Sequence, residues 1–263
     1  MNKFSDTLLK AVQMTCGRVD QQQVFRDLVA YCALQLSNRT DPVHLKVRQE
    51  QLDAIVKKYT DQEKNQFTDI LKQLAGEVVR NINQGTYVDL LGRAHQELHP
   101  KSGSLKQDFT PPSIGQILSM ITLEDARLPE TGFFTCNEPT CGSGVLCLSF
   151  AEELLHQGFN PCEQLVIQAS DLDRLCVQMT YLQLSLYGIP AVIIQGNTIT
   201  LEEYDRWYTP LYIWRKWVWR APMPFSSGRN KSDELLKMVS EPWYALARKM
   251  EALINQKVDN ACD

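Results

Sequence analysis

The sequence contains no apolar run that approaches the roughly 20 residues a membrane-spanning helix needs. Its first twenty residues, "MNKFSDTLLKAVQMTCGRVD", also lack an apolar core followed by a small-residue cleavage site, so we expect no signal peptide. Internal repeats and low-complexity tracts are absent as well. These absences predict a cytoplasmic protein with no membrane partner.

Metal-ligand patterns are missing too. The four histidines show no ligand spacing, and none of the eight cysteines forms a Cys-x-x-Cys pair. Reduced thiols in a cytoplasmic chain therefore explain the cysteines better than disulfides or zinc do, and we expect no metal site.

The chain also lacks the excess of positive charge that marks a strongly basic nucleic-acid-binding protein, because its net charge is −4. The charge is unevenly distributed. Up to residue 105 there are 14 Lys and Arg against 12 Asp and Glu, whereas the remainder has 13 against 19. Any binding of DNA must therefore depend on a local surface or on a partner chain.

The first hundred residues are patterned as helices. Apolar residues recur at helical spacing in "QQQVFRDLVAYCALQLSNR", and Thr60 and Glu63 have the spacing of a capping box that opens the helix in "NQFTDILKQLAGEVVRNIN". The polar segment "HPKSGSLKQ" reads as a linker. We predict an all-helical N-terminal domain over residues 1–104, which serves packing or a partner surface rather than catalysis.

After residue 105 the pattern changes to alternating strands and helices. The apolar runs "FFTCN", "EQLVIQAS" and "PAVIIQ" are predicted strands, and long helical patterns separate them. A further helix is predicted from a capping box at Ser113 to about Ile121, and an amphipathic helix from Ser232 to Lys257. This alternation is typical of βαβ units, so residues 105–263 are predicted to be an α/β, Rossmann-like domain.

A glycine-rich turn separates the first predicted strand from the helix that follows it. Gly142 and Gly144 have no Cβ, so the backbone can adopt positive φ and a ligand can approach closely. The turn departs from a dinucleotide fingerprint, since Cys147 occupies the third glycine position. Glu138 at the strand end would repel a pyrophosphate, and it suits a cationic cofactor. S-adenosylmethionine, which carries an ammonium and a sulfonium group, fits better.

Polar residues follow the next two predicted strands as well. Asp171 can accept hydrogen bonds from both ribose hydroxyls, with Asp173 as the N-cap of the next helix. Asn197 follows the third strand, where its amide can pair with an adenine ring. Each residue alone is explained better by a role in a turn or cap, but together, in this order, they indicate a crevice for a nucleoside cofactor.

At these residues the sequence resembles the N-6 adenine DNA methyltransferases, above all the modification subunits of type I restriction-modification systems and their mobile-element relatives. The resemblance spans roughly residues 86–200 and rests on five stretches: "DLLGRAHQEL", "LKQDFTPPSIGQIL", "EPTCGSGVLCLS", "GNTI" and "ASDLDRLCVQMTYLQLSLYGI". The third matches the family's [DE]-P-[AT]-C-G-[ST]-G-x-[LF] cofactor motif closely. The fourth has Asn197 where the family often has Asp.

The resemblance implies an S-adenosylmethionine-dependent methyltransferase domain that acts on DNA. It also implies the residues that bind the cofactor: Phe109, Thr110, Pro111, Glu138, Pro139, Thr140, Gly142, Ser143, Gly144, Asp171, Leu172 and Asn197.

The family's catalytic tetrapeptide, [DNS]-P-P-[FYW], is missing from the expected place. In the family its Asn or Asp side chain and first prolyl carbonyl accept hydrogen bonds from the target amino group, and its aromatic residue stacks on the flipped base. Two stretches are candidates: "TPLY", with Thr209, Pro210 and Tyr212, and "APMPF", with Pro222 and Phe225. The second has no side-chain acceptor at its first position.

Two functions therefore remain open. The first is an adenine-directed DNA methyltransferase that is compact or depends on a partner chain. The second is a non-catalytic methyltransferase-like module that keeps the cofactor pocket and acts with a partner in restriction-modification, defence or counter-defence. A protein partner or a homo-oligomer is consistent with both.

Residues 206–220 combine four of the five tryptophans with three arginines and a lysine. Such a stretch suits a surface that stacks unpaired bases and contacts phosphates. An aromatic sheet edge or a subunit interface explains the stretch better.

Overall fold

The computed structural model describes Leu8, Val12 and residues 20–98 and 109–221. These residues form ten helices and four strands: α1 (Gln21–Thr40), α2 (Leu45–Val56), α3 (Asp61–Asn83), α4 (Leu90–Leu98), α5 (Pro112–Thr122), β1 (Phe134–Glu138), α6 (Val145–His156), α7 (Pro161–Gln164), β2 (Leu165–Asp171), α8 (Arg174–Leu186), β3 (Ala191–Asn197), β4 (Glu202–Tyr208), α9 (Pro210–Trp214) and α10 (Trp217–Arg220). The predicted α/β class is confirmed. The helix predicted from Ser232 to Lys257 lies outside the described residues.

The four strands form one mixed sheet in the order β1-β2-β3-β4. β1, β2 and β3 are parallel and correspond to the three predicted strands, whereas β4 runs antiparallel to β3. β4 was not predicted from the sequence, because its first half, Glu202–Asp205, is mostly charged and mostly exposed. The sheet is therefore not purely parallel, as the βαβ pattern had suggested.

Helices cover both faces of the sheet. Successive side chains of a strand point to opposite faces, so neighbouring residues of β2 pack against different helices. Ile167 and Ala169 of β2 belong to a large core that includes α6 and α8. Val166, one residue before Ile167 on the strand, packs instead with Tyr212 of α9 and Trp217 of α10. The apolar character of β2 along its whole length reflects this two-sided burial.

The N-terminal helices pack directly against the helices and strands of the second part of the chain. α1 lies against α8, and one buried cluster contains Phe25 and Leu90 from the first part of the chain together with Leu182 and Ile193 from the second. The division at residue 104 stays a prediction, since residues 99–108 are outside the described part of the chain. The cores on its two sides are continuous.

Two of the predicted helix starts are confirmed, and one is wrong. Thr60 and Glu63 form a reciprocal capping box, and the Asp173 side chain caps α8 by accepting from Leu175 N at 2.9 Å. Ser113, by contrast, does not cap α5, which begins one residue earlier with Pro111 as its N-cap. Pro112 has the φ that a first helical residue needs and no N–H to satisfy, so it starts the helix.

A buried arginine fastens α2 to the edge strand of the sheet. The guanidinium of Arg48 lies 3.9 Å over the ring of Trp207 in β4, and its Nη1 is 2.7 Å from Asp41 Oδ2. It also donates to Ser37 Oγ and to the carbonyl oxygen of Arg206. Burial alone would raise the pKa of Asp41, but hydrogen bonding from His44 and the charge of Arg48 hold that pKa below its usual value. The pair is therefore charged.

None of the helices in the described part of the chain combines the length and the apolar character required to cross a membrane.

We expect Arg48→Met to lower the free energy of unfolding by about 3–5 kcal/mol, because it leaves Asp41 buried without its charge partner. Urea titration followed by circular dichroism measures this loss. Lys46→Met, at an exposed position on the same helix, is the matched control and should change stability by less than about 0.5 kcal/mol. Equal effects of the two substitutions would show that the Arg48–Asp41 pair does not hold the helices to the sheet.

Candidate functional site

The three parallel strands end at one edge of the sheet, but their ends are staggered. Glu138 at the end of β1 is level with Ala169, so Asp171 at the end of β2 lies two residues further along. Asp171 is level with Gln195, and Asn197 lies two residues beyond it. At about 3.3 Å per residue each step is roughly 7 Å. The structure thus brings the three predicted polar residues to one edge of the sheet, each offset from the previous one by two residues.

Glu138 is half-buried, and only one of its carboxylate oxygens is used. Oε1 accepts from the Thr140 backbone N–H at 3.0 Å and from the Thr140 hydroxyl at 3.2 Å. Oε2 accepts no hydrogen bond from any described residue. The bonds to Thr140 therefore fix the side chain and leave one charged oxygen available at the mouth of the glycine turn.

Asp171 joins the loops that follow β1 and β2. Its Oδ2 accepts from Gly142 N at 2.9 Å, and its Oδ1 accepts from Asp173 N at 2.9 Å. Each carboxylate oxygen has a second lone pair, so the group keeps capacity for a ligand hydroxyl. Asp171 consequently both supports the turn and remains half-buried at the crevice.

The two glycines of the turn have positive φ, as predicted, but they face different neighbours. Gly142 has φ 54°, and a Cβ there would lie 3.2 Å from the Phe109 ring. Gly144 has φ 98°, and a Cβ there would lie 3.1 Å from the Thr180 hydroxyl of α8. Thr180 also donates to the Gly142 carbonyl at 2.9 Å. Gly144 is therefore required for packing on α8, whereas Gly142 lies on the side that Phe109 approaches.

The turn opens α6 without a side-chain cap. Gly144 is the N-cap residue and has no side chain to accept from the first turn of the helix. The first N–H groups of α6 consequently add partial positive charge beside the two carboxylates. Ser143, which could have capped them, is buried and donates its hydroxyl elsewhere.

That acceptor is Asp89, whose role the sequence did not reveal. Ser143 Oγ donates to Asp89 Oδ2 at 2.5 Å, and Gln183 Nε2 of α8 donates to Asp89 Oδ1 at 2.9 Å and to the Ser143 carbonyl at 2.8 Å. Gly92 N also donates to Asp89 Oδ1, at 2.8 Å. Asp89 was visible only as part of "DLLGRAHQEL", and no local pattern shows that its partner is 54 residues away.

Asp89 is an unusual acid because it has no cation in hydrogen-bonding contact. Burial raises the pKa of its carboxyl, and the hydrogen bonds from Ser143, Gln183 and Gly92 only partly oppose that rise. A Cβ on Gly92 would lie 2.1 Å from Asp89 Oδ2, so glycine is required where the helix passes the carboxyl. This network ties α4, the glycine turn and α8 into one unit.

The segment before α5 lies against the turn. The half-buried Phe109 ring is 5.2 Å from the His95 ring of α4, and it covers Gly142. Thr110 is half-buried, and Pro111 is exposed at the start of α5. The rest of the predicted set is mostly accessible: Pro139, Thr140 and Leu172 are exposed. The structure therefore brings Phe109 to the glycine turn that follows Glu138.

Asn197 is partly occupied by its own turn. Its Oδ1 accepts from Ile199 N at 2.9 Å and from Thr200 N at 3.2 Å, which shapes the connection from β3 to β4. The acceptor proposed for an adenine amino group is thus engaged, whereas the side-chain N–H₂ has no partner among the described residues. Donation to a ring nitrogen is the interaction that this arrangement leaves possible.

The catalytic candidates in "TPLY" lie at the other end of the sheet. Because β4 is antiparallel, Tyr208 pairs with Val192 while Glu202 pairs with Asn197, which separates the two ends of β4 by about 17–20 Å. The buried Thr209 hydroxyl accepts from Ala191 N at 2.8 Å and donates to the Ile189 carbonyl at 2.9 Å.

Pro210 begins α9, and Tyr212 is buried in the core beneath the second face of the sheet. The structure therefore does not bring Thr209, Pro210 or Tyr212 to the crevice. Pro222 and Phe225 lie outside the described residues.

The tryptophans of residues 206–220 mainly serve the core. Trp207 and Trp217 are fully buried, and only Trp219 is well exposed. Two of the interleaved cations are paired, Arg206 with Glu203 and Arg215 with Glu163. An aromatic sheet edge describes this stretch better than a surface for unpaired bases.

The six cysteines of the described residues are free thiols, and five of them are buried. Burial raises the pKa of the Cys141 thiol in the turn well above its usual value, so Cys141 stays protonated and is no nucleophile. In the part of the chain that the structure describes, no cluster of His, Cys, Asp and Glu has the arrangement of a metal site.

Comparison of the chain with protein-family models, with curated proteins and with solved structures found no match.

We expect Asp89→Ala to lower the free energy of unfolding by about 1–3 kcal/mol, since Ser143, Gln183 and Gly92 would each lose a buried acceptor. Asp89→Asn is the matched variant, because its side-chain oxygen replaces one acceptor and its N–H₂ can donate to Ser143. Urea titration at neutral pH should show that Asp89→Asn has a larger free energy of unfolding than Asp89→Ala, whether or not it exceeds that of the wild type. A loss in Asp89→Asn as large as in Asp89→Ala would contradict the network.

The raised pKa of Asp89 also predicts the pH dependence of this comparison. In the unfolded chain an aspartate ionises near pH 4, while the folded protein binds that proton to higher pH. The native state then holds more protons, so the wild type loses stability relative to Asp89→Asn as the pH rises above about 4. Unfolding free energies of the two proteins between pH 4 and pH 8 measure the difference. A constant difference would show that the Asp89 pKa is not raised.

Proposed function

We propose that this chain binds S-adenosylmethionine at the carboxyl ends of β1 and β2 and serves as the cofactor-binding part of an adenine-directed DNA methyltransferase. The observation that carries the proposal is the half-buried Glu138 carboxylate. One of its oxygens is fixed by Thr140, and the other has no described partner beside the glycine turn. An oriented anion without a cation suits a ligand that brings its own positive charge.

The residues of the crevice fit the other parts of such a ligand. Asp171 keeps lone pairs for two ribose hydroxyls, and the Asn197 amide can donate to a ring nitrogen of adenine. Phe109, just before α5, and Leu172, in the loop after β2, offer apolar surface. When bound, the cofactor supplies a sulfonium-activated methyl group for transfer to an amino nitrogen. Glu138 would hold its ammonium group and orient it without reacting.

The family resemblance names DNA adenine as the acceptor, and transfer requires a group that holds the target base. Thr209, the described candidate with a side-chain acceptor, does not take that role, because it is buried at the other end of the sheet with its hydroxyl engaged twice. In the enzyme version of the proposal, that group comes from residues 222–263 or from a partner chain.

The same separation of Thr209 from the crevice favours a second function, a methyltransferase-like module without catalysis that acts with a partner chain. The sheet geometry supports dependence on further residues. In doubly wound sheets the ligand lies at the point where the strand order reverses, between two strands with neighbours on opposite sides. Here β1 pairs with β2 alone among the described strands. In this proposal one wall of the crevice comes from residues outside the described part of the chain or from a partner chain. The family resemblance points to restriction-modification, defence or counter-defence as the setting for such a partner.

We expect Glu138→Gln to weaken S-adenosylmethionine binding by about 1–3 kcal/mol, the scale of a lost charge-assisted hydrogen bond. The amide oxygen of glutamine can still accept from Thr140, so the loop should keep its shape. Isothermal titration calorimetry measures the change. Glu50→Gln, on the exposed side of α2, is the matched control and should bind like the wild type. Equal affinity of the Glu138→Gln variant and the wild type would remove Glu138 from the site.

Transfer of tritium from methyl-labelled S-adenosylmethionine to adenine-containing DNA separates the two functions. Incorporation that disappears in the Glu138→Gln variant would establish the enzyme. Cofactor binding without incorporation, even with candidate partner chains added, would establish the non-catalytic module. A wild-type chain that binds no S-adenosylmethionine at all would refute the proposal in both versions.

A further inference from the structure

Helix α5 packs on α6 through small residues, whereas a surface helix usually buries its large apolar side chains. Its two buried residues are the small Gly115 and Ser119, one helical turn apart. A Cβ on Gly115 would lie 2.6 Å from Ser149 Oγ of α6, so the two helices approach closely at this point. The small residues therefore form the inner face of α5.

The large apolar residues of α5 are exposed on the remaining surface. Ile114, Ile117, Leu118 and Ile121, which we term the α5 stripe, are 44%, 51%, 46% and 66% exposed. Their spacing of three, four and seven residues places them along one side of the helix. A surface helix normally buries such a stripe, and an exposed one marks a docking surface. The α5 stripe is thus a packing face without a described partner.

The described chain ends close to the strand that follows α5. Ala221, the last described residue, belongs to the same buried cluster as Phe133, and the ring of Trp217 is 5.1 Å from the ring of Phe133. Phe133 directly precedes β1, and residues 123–132 connect it to α5. Ten further residues, 222–231, can span up to about 33 Å, twice the roughly 16 Å length of α5. Because Trp217 packs on the face of the sheet opposite to α6, this linker would pass the edge of β1 to bring the following segment to the α5 stripe.

The sequence of that following segment has a complementary pattern. Trp243, Leu246, Met250 and Leu253 recur at spacings of three and four, and Arg248, Lys249 and Glu251 fall between them. This is the narrow apolar seam with which one helix packs against another. These residues lie outside the described part of the chain.

The geometry points to an internal contact in which residues 232–257 cover the α5 stripe. Tethering favours this occupant over a second copy or another protein, because a short linker holds the segment at an effective concentration in the millimolar range. The contact would fasten the carboxy-terminal segment, with the candidate residues Pro222 and Phe225, beside β1. The inference stands apart from cofactor binding and holds or fails without it.

Photo-cross-linking in the full-length chain tests the contact. Ile117→p-benzoylphenylalanine places the reactive group in the middle of the α5 stripe. On irradiation we expect cross-linked peptides from residues 232–257, in a yield independent of protein concentration. Mixing unlabelled and ¹⁵N-labelled protein before irradiation shows whether the joined peptides come from one chain.

Control and competing outcomes are distinct in this experiment. Val47→p-benzoylphenylalanine, at an exposed apolar position on α2, should give no link to residues 232–257. Mixed-isotope products would show that a second copy covers the α5 stripe, and the inference would then be wrong. No cross-link at Ile117 would overturn it as well.

A double-mutant cycle supplies a second measurement. Ile121→Asp and Leu253→Asp should each lower the thermal midpoint by several degrees, and together by less than the sum, because each removes the same contact. Additive shifts would show that the two residues do not interact.

Discussion

The buried contact between Asp89 and Ser143 is the interaction on which the rest of the crevice depends. A carboxyl group without a contacting cation is costly to bury, and it is retained here because three donors converge on it. One donor is the turn itself, another is the side chain of Gln183, and Gln183 also accepts from the start of α4 at Leu90 N. The glycine turn is therefore shaped by residues of the N-terminal helices, which makes those helices part of the site rather than an appendage to it.

The two carboxylates at the strand ends, Asp171 and Glu138, differ in how many of their oxygens are hydrogen-bonded. Both oxygens of Asp171 accept hydrogen bonds from backbone N–H groups, so this carboxylate mainly joins the loop after β1 to the loop after β2. Glu138 is fixed through one oxygen only, and Thr140 supplies both of its bonds. With an uncapped helix start nearby, the site combines one unengaged anion and several backbone donors. That combination favours a ligand with a cationic end and a polar, hydroxylated body over a polyphosphate.

What the sequence could predict follows from the range of the interactions. The positions of the three parallel strands, the capping box at Thr60 and the cap at Asp173 follow from patterns of neighbouring residues, and each was predictable. The position of Thr209 was not, because it depends on β4 turning back along β3. Likewise, Arg48 pairs with Trp207 across 159 positions of sequence, and Asp89 with Ser143 across 54. Local pattern shows that these residues are polar but does not show which partner makes their burial possible.

The edge of β1 that no described strand pairs with connects the remaining observations. Both faces of the sheet are covered, and at the far edge Arg48 seals β4 against α2, so β1 is where further structure can add. A strand edge left bare exposes unpaired N–H and C=O groups, which proteins normally cover or pair. The chain leaves the described region beside Phe133 at the start of that strand, and the α5 stripe is exposed on the helix that precedes it. Whatever occupies this edge would lie beside the strand that ends at Glu138, which is where the proposed function requires further residues.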